Sequence, residues 1–227
     1  TASNNTAVGF GALGANTTGS TNTSVGMQSL EANTTGTNNV AVGVNALLSN
    51  TTESNNTAIG RDALKNTTGR ENIAIGSLAG DTITSGINNV CIGFNAEPVS
   101  ATTNHSITLG NSSISTLRCQ VQTISSLSDK RDKTNIVDIE DGLDLINLLR
   151  PRKFTWAMRE PNANDGTTHL GFIAQELDEV LGSKNDYIHA ILKDNPDKLE
   201  AAYGRFIPIL VKAVQELSAK VTALEAG

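Results

Sequence analysis

The sequence predicts two joined structures: an N-terminal all-β solenoid or β-roll of 17-residue repeats, and a C-terminal mixed α/β domain ending in a coiled-coil helix. Three observations carry that reading. Glycines recur at 9, 26, 43, 60, 76, 93 and 110, at steps of 17 residues with one step of 16. Charge density changes abruptly after residue 127, with 10 charged side chains before that point and 30 after it. Near the end, Ile207, Leu210, Val214, Leu217, Val221 and Leu224 fall at alternating steps of three and four, the a/d seam of a coiled coil. The expected boundaries are a repeat region over 1–110, a connecting or capping strand segment over 111–127, and a C-terminal domain over 128–227 with its coiled-coil helix at about 206–225.

Each repeat places an aliphatic residue directly before its glycine (Val8, Val25, Val42, Ile59, Ile75, Ile92, Leu109) and a small residue three positions after it (Ala12, Ser29, Ala46, Ala63, Ala79, Ala96). Leucines 13, 30, 47 and 64 follow one step later. The remainder is turn chemistry of the kind in Asn16-Thr-Thr-Gly19 and Asn33-Thr-Thr-Gly36, where Asn and Gly tolerate left-handed backbone angles. Seventeen residues are too few for a helix pair and suit two short strands with two turns, so the chain is expected to climb one coil per repeat. Two or three aliphatic side chains per coil bury little on their own, which predicts an obligate oligomer. Asn and Thr ladders on such a coil are expected to be structural. From 111 to 127 the period is lost, and Leu117, Cys119 and Val121 alternate with polar neighbours as in an edge or capping strand.

Several function classes are disfavoured by composition. The two parts carry net charges of −2 and −4, so neither offers the basic field of a nucleic-acid binder. No apolar run approaches bilayer length and the first residues are polar, so neither a membrane segment nor a signal peptide is expected. Cys91 and Cys119 are too few for a disulfide framework, and His105, His169 and His189 lack metal-ligand spacing; no metal and no cofactor are expected.

After residue 128 the pattern turns to a mixed α/β domain. Ile136 and Val137 suit a short strand, and 141–149 forms a helix with Leu143, Leu145, Ile146 and Leu149 on a broad apolar face, ended by Pro151. Phe154 to Met158 alternates as a strand, and Pro161 to Gly166 is a loop. Ala174 to Leu181 is an amphipathic helix stopped by Gly182, with Gln175 and Glu176 either in a polar network or on a solvated helix start. The final helix starts beside Pro208, which the first turn tolerates. Its β-branched residues at a and leucines at d suit two strands when taken alone, and the domains it joins are expected to overrule so short a coil.

Between the two parts lies Ser128-Asp129-Lys130-Arg131-Asp132-Lys133. A serine and a lysine five residues apart can act as nucleophile and base if the fold brings amine to hydroxyl. The spacing alone equally describes a solvated turn. Together with the 136–156 segment, Gly171-Phe-Ile-Ala-Gln-Glu176 and Tyr203-Gly-Arg-Phe-Ile-Pro-Ile-Leu210, however, this stretch resembles the intramolecular chaperone auto-processing domain. That domain occurs at the C-terminus of phage endosialidases, tail fibres, tail spikes and neck appendages, and in myelin regulatory factor. The repeats, for their part, resemble in pattern the head repeats of trimeric autotransporter adhesins, which associate in threes.

The chaperone resemblance implies a homotrimer that aligns three copies of the upstream β-structure and then releases itself as a serine endopeptidase acting on its own chain. It implies Ser128 as nucleophile, Lys133 as general base, and cleavage at Leu127-Ser128. A lysine in water, at a pKa of ~10.4, is protonated at neutral pH, so such a base needs burial or neighbouring cations such as Lys130 and Arg131. Asp129 and Asp132 would oppose that effect if close, and Asp132 has no assigned role. The resemblance implies a virion component, a tail fibre or spike assembled in the host cytoplasm, possessing a host-surface receptor or glycan. The competing reading is a non-enzymatic trimeric adhesin or glycan-binding fibre whose C-terminus only anchors the trimer. A membrane-tethered transcription regulator shares the chaperone domain but needs DNA-binding and membrane segments that this sequence lacks.

Overall fold

A computed structural model describes residues 2–114, 116–118, 120, 128–157, 166–193, 195, 197 and 199–227. They fall into two compact units, Thr1–Thr116 and Leu117–Gly227.

The first unit is a solenoid with one parallel sheet. Its strands are β1 (Thr6–Val8), β2 (Thr23–Val25), β3 (Val40–Val42), β4 (Thr57–Ile59), β5 (Ile73–Ile75), β6 (Val90–Ile92) and β7 (Ile107–Leu109), hydrogen-bonded in chain order. Pairing follows the glycine spacing: Val42 lies beside Ile59 one repeat on, and the 16-residue step is absorbed between β4 and β5, where Thr57 pairs with Ile73. Each coil contains one strand of three residues rather than the two expected. The segment that follows each strand glycine forms a turn, in which Leu30, Leu47 and Leu64 adopt left-handed backbone angles, with φ of 49°, 54° and 48°. That conformation is costly for leucine. It persists because each side chain is fully buried and each N–H donates to the next coil, as from Leu30 to the Ala46 carbonyl at 3.0 Å and from Leu47 to that of Ala63 at 3.1 Å.

A three-residue strand turns one side chain inward and two outward. The inward set is small: Ser24, Ala41, Ala58, Ala74 and Cys91 are buried, and the last four cluster with Leu30, Leu47, Leu64 and Ile83 in the core. The aliphatics before the glycines point away from it, with Val42, Ile59, Ile75 and Ile92 at 36–40% exposure. The glycine itself is dictated by close approach. At Gly43 φ is 136°, and a Cβ there would run into the carbonyl oxygen of Gly60 on the next coil.

Asparagine supplies the second adhesive of the coil. The side-chain oxygen of Asn39 accepts from the backbone N–H of Asn56 at 2.9 Å, and that of Asn56 accepts from Asn72 at 2.9 Å. Their amide groups donate across the coil to the carbonyls of Glu53 (2.8 Å) and Gly69 (2.9 Å). Asn22, Asn39, Asn56, Asn72 and Asn89 are all fully buried, so this ladder is structural.

The second unit is mixed α/β. Its helices are α1 (Leu143–Leu148), α2 (Ala174–Leu181), α3 (Asn185–Ile188) and α4 (Ile207–Glu225). Strands β8 (Arg152–Thr155) and β9 (Thr168–Gly171) form one antiparallel pair, and β10 (Ile191–Leu192) and β11 (Glu200–Ala201) another. Leu145, Leu177, Leu181, Ile188, Ile191, Phe206 and Ile209 make the core. The strand expected at Ile136 and Val137 does not form: both residues lie outside any strand or helix, at 59% and 82% exposure. The strand expected over Phe154 to Met158 begins earlier, at Arg152, since pairing with β9 sets its extent; Met158 and most of the loop expected at 161–166 lie outside the described residues, as do Cys119 and Val121. No helix among the described residues is long and apolar enough to cross a membrane.

Candidate functional site

Residues 128–140 are exposed throughout, and the only regular structure in them is a single 3-10 turn, Lys130–Asp132. Asp129 starts it. Its side chain accepts from the Arg131 N–H at 2.9 Å, a short acidic side chain at the N-cap position satisfying an otherwise free donor. The turn closes with the Lys133 N–H donating to the Lys130 carbonyl at 3.2 Å, and Lys133 returns to extended angles. One turn inserted between two extended residues folds positions 128 and 133 toward each other. The Lys133 Nζ donates to the Ser128 Oγ at 2.7 Å, a separation across which a proton can pass in either direction.

The two carboxylates that sequence reasoning set against the lysine are placed differently from one another. Asp129 is committed to Arg131, whose Nε donates to its Oδ1 at 3.0 Å and Oδ2 at 3.1 Å while Nη2 donates to Oδ2 at 2.6 Å. The Arg131 side-chain bonds, with its backbone N–H second, hold the Asp129 carboxyl below its ordinary range. Asp132 lies exposed in the turn. Leu127, on the other side of the expected scissile bond, is outside the described residues.

The remaining motifs brace the C-terminal unit. Gln175 is exposed on α2, whereas Glu176 accepts a two-pronged contact from Arg152, from Nε at 2.8 Å and Nη2 at 2.5 Å, which ties the start of α2 to β8. The Tyr203 hydroxyl accepts from the Phe172 N–H and donates to the Phe172 carbonyl, both at 3.1 Å, joining the Gly171-Phe172 stretch to the approach to α4. Asp141 accepts from Lys184 at 2.5 Å and from Tyr187, and these two bonds hold its carboxyl low. Glu216 of α4 accepts from the Leu143 N–H at 2.8 Å at the first turn of α1. Helix α4 has two apolar faces. Ile209 and Ala213 are buried inward, while Ile207, Leu210, Val214, Leu217, Val221 and Leu224 are 45–82% exposed.

Sequence reasoning named Ser128 and Lys133 but missed the Asp129–Arg131 clasp and the Glu216 cap. An Asp directly before a short polar helix was a legible cap signal. A contact spanning 73 residues, as between Glu216 and Leu143, carries no local signal. Of the residues weighed for coordination, Cys91 is free and buried in the solenoid; burial first, then the Glu97 charge, pushes its thiol up to about 12. His105 bonds Asn88, His169 stacks on Phe154, and His189 caps α3 in a left-handed conformation.

Comparison with known proteins places the turn at the head of a recognised segment. Residues 128–184 match the peptidase S74 family model described as "Chaperone of endosialidase". A 60-residue stretch is 45% identical to the uncharacterized protein VP1 of a Micromonas pusilla reovirus isolate, covering 26% of this chain and 3% of that protein. The chain thus spans only a small fraction of the length of this viral relative. No solved structure matches the chain. Residues 128–184 thus carry a peptidase S74 chaperone-of-endosialidase domain, a self-cleaving family typical of the C-termini of viral fibre proteins, preceded in sequence by a parallel β-solenoid.

Proposed function

We propose that this chain is the C-terminal part of a phage tail-fibre or tail-spike protein. Its S74 domain assembles three copies, sets the register of the solenoid, and then releases itself by cutting the Leu127–Ser128 bond. The observation that carries the reading is the 2.7 Å contact between Lys133 Nζ and Ser128 Oγ at the first residue of the family-matched segment.

The chemistry balances with the chain's own groups and one water. Lys133, as a neutral amine, takes the hydroxyl proton while Ser128 Oγ bonds to the Leu127 carbonyl carbon. Collapse of the tetrahedral intermediate breaks the Leu127–Ser128 C–N bond, and the Ser128 nitrogen leaves as an amine carrying the proton that Lys133 returns. Water then opens the resulting ester, restoring the hydroxyl and leaving a carboxylate on Leu127. A lysine base requires dehydration, yet Ser128 and Lys133 are exposed in the single chain. In this reading the cover is supplied by assembly, which makes the cut conditional on the homotrimer. The outward apolar row of α4 supports association of copies through that helix.

The wild-type chain is expected to run on a denaturing gel as two fragments divided at residue 127, and S128A or K133A as one band. Processing of both variants at the wild-type rate would overturn the assignment.

A further inference from the structure

We propose that Asp129 and Arg131 act as a positioning clasp for the Ser128–Lys133 pair, Asp129 folding the turn and Arg131 keeping the Asp129 carboxylate from serving as the lysine's counter-ion. The inference rests on the self-cleavage reading and adds to it two residues that touch neither reacting atom.

Three features of the turn lead there. Asp129 adjoins the nucleophile in sequence, and the hydrogen-bonded turn it caps is what folds Lys133 back to Ser128. A carboxylate in that place would ordinarily pair with the nearest ammonium and favour its charged form, the wrong form for a base. Here both of its oxygens are already taken by the guanidinium of Arg131, which stays charged at any working pH and offers a planar fork that a lysine lacks. The other charged side chains of the segment, Lys130 and Asp132, make no hydrogen bond or ion pair among the described residues.

Fold stability does not account for the pair. Arg131 is 89% exposed and Asp129 39%, and exposed ion pairs contribute little to folding. Removing the clasp should therefore leave the domain folded and assembled while changing how fast it cuts and at what pH. A merely structural ion pair would move neither.

The test follows full-length chain made by cell-free translation, with conversion to fragments quenched at intervals in buffers from mildly acidic to mildly alkaline, and assembly read on native gels. R131A leaves the carboxylate bare, so cleavage at neutral pH is expected to slow roughly 10-fold and the half-maximal point of its pH profile to move up by about one unit. R131K keeps charge without the fork and should recover only part of the rate. D129N retains an oxygen for the Arg131 N–H but no charge, so D129N/R131A is expected to return the profile toward wild type, whereas D129A, which loses the cap, slows the cut without shifting its pH. Wild-type rate and profile in R131A, or a double variant no better than R131A, overturns the clasp. An uncut wild-type chain, or S128A cut as fast as wild type, removes the self-cleavage reading itself, so the two failures are told apart.

Discussion

At the scale of single residues, the solenoid is held by side chains that complete the hydrogen bonding of a neighbouring coil. Asn56 is the clearest case: it accepts from Asn72 and donates to Gly69, with no exposure to water. Asn56→Ala leaves a buried N–H and a buried carbonyl without partners and should cost about 1–3 kcal/mol for each group so exposed to the penalty. Thermal unfolding monitored by circular dichroism checks this, and no change in midpoint would mean the ladder is redundant. Glu97 makes a different prediction. Its carboxylate accepts from the Asp81 N–H (2.9 Å), the Thr82 N–H (3.3 Å) and the Thr82 hydroxyl (2.5 Å), yet burial pushes it from 4.5 up to about 7, with the Thr82 bond pulling the other way. A carboxyl raised on folding favours the protonated folded state. Its contribution is whole below about 4.5, falls as pH rises, and is gone above about 7. Asp62, held low chiefly by Asn45, acts in the opposite sense and only at more acidic pH. Discounted for partial exposure to about 1 kcal/mol, the Glu97 effect should lower the melting temperature by roughly 2–4 °C across that interval, and E97Q should flatten the slope.

At the scale of elements, α4 shows what a sequence does and does not disclose. The 3-4 row from Ile207 to Leu224 was legible because its period is local, and the structure forms a helix over Ile207–Glu225 around it. Ile209 and Ala213 were not legible as core, because what buries them is α1, more than 60 residues earlier in the chain. The same division explains the solenoid. Its period and its strand positions could be read from the glycines, whereas the single strand per coil depends on leucines in a conformation their own propensity disfavours, stabilised by the adjacent coil. At the site, Ser128 and Lys133 were named through the family resemblance, because their spacing alone equally describes a solvated turn, and the Asp129–Arg131 contact between them needed the turn itself. The two faces of α4 should separate experimentally. Leu217→Glu sets a charge on the outward row and should weaken association at least 100-fold, by the few kcal/mol that burying an unpaired charge costs, with helix content preserved and self-cleavage reduced in step. Ile209→Ala should instead cost about 2–5 kcal/mol of the unit's own stability. Equal effects of both on assembly, judged by sedimentation, would show that the outward row has no partner.

At the scale of the whole molecule, the proposed assembly answers a problem that the solenoid creates. Its outward strand residues form an apolar stripe of seven rungs, including Val42, Ile59, Ile75 and Ile92, about 30 Å long at the usual strand spacing. Stripes of that extent on otherwise polar surfaces mark contact sites, and in the proposed assembly another copy of the same solenoid would match the stripe in rise at every rung. The match is also the hazard. Sliding one copy past another by a coil forfeits one rung of seven and sets Val42 against Ile59 with almost no steric signal of error. A sheet with a weakly specified register needs an outside reference. A C-terminal domain that trimerises first would fix one end of all three stripes, and cutting it away afterwards would leave an aligned product with no simple route back. Residues 1–127 made without the C-terminal unit are therefore expected to give a ladder of species on native gels, while the same segment released from the full chain gives one. A double substitution on the stripe, Ile59→Asp with Ile75→Asp, should leave each coil folded, since neither side chain enters the core, but should return the released product to single chains. If residues 1–127 alone reach the same single species as the released segment, alignment is intrinsic to the solenoid, and the chaperone domain must serve some end other than register.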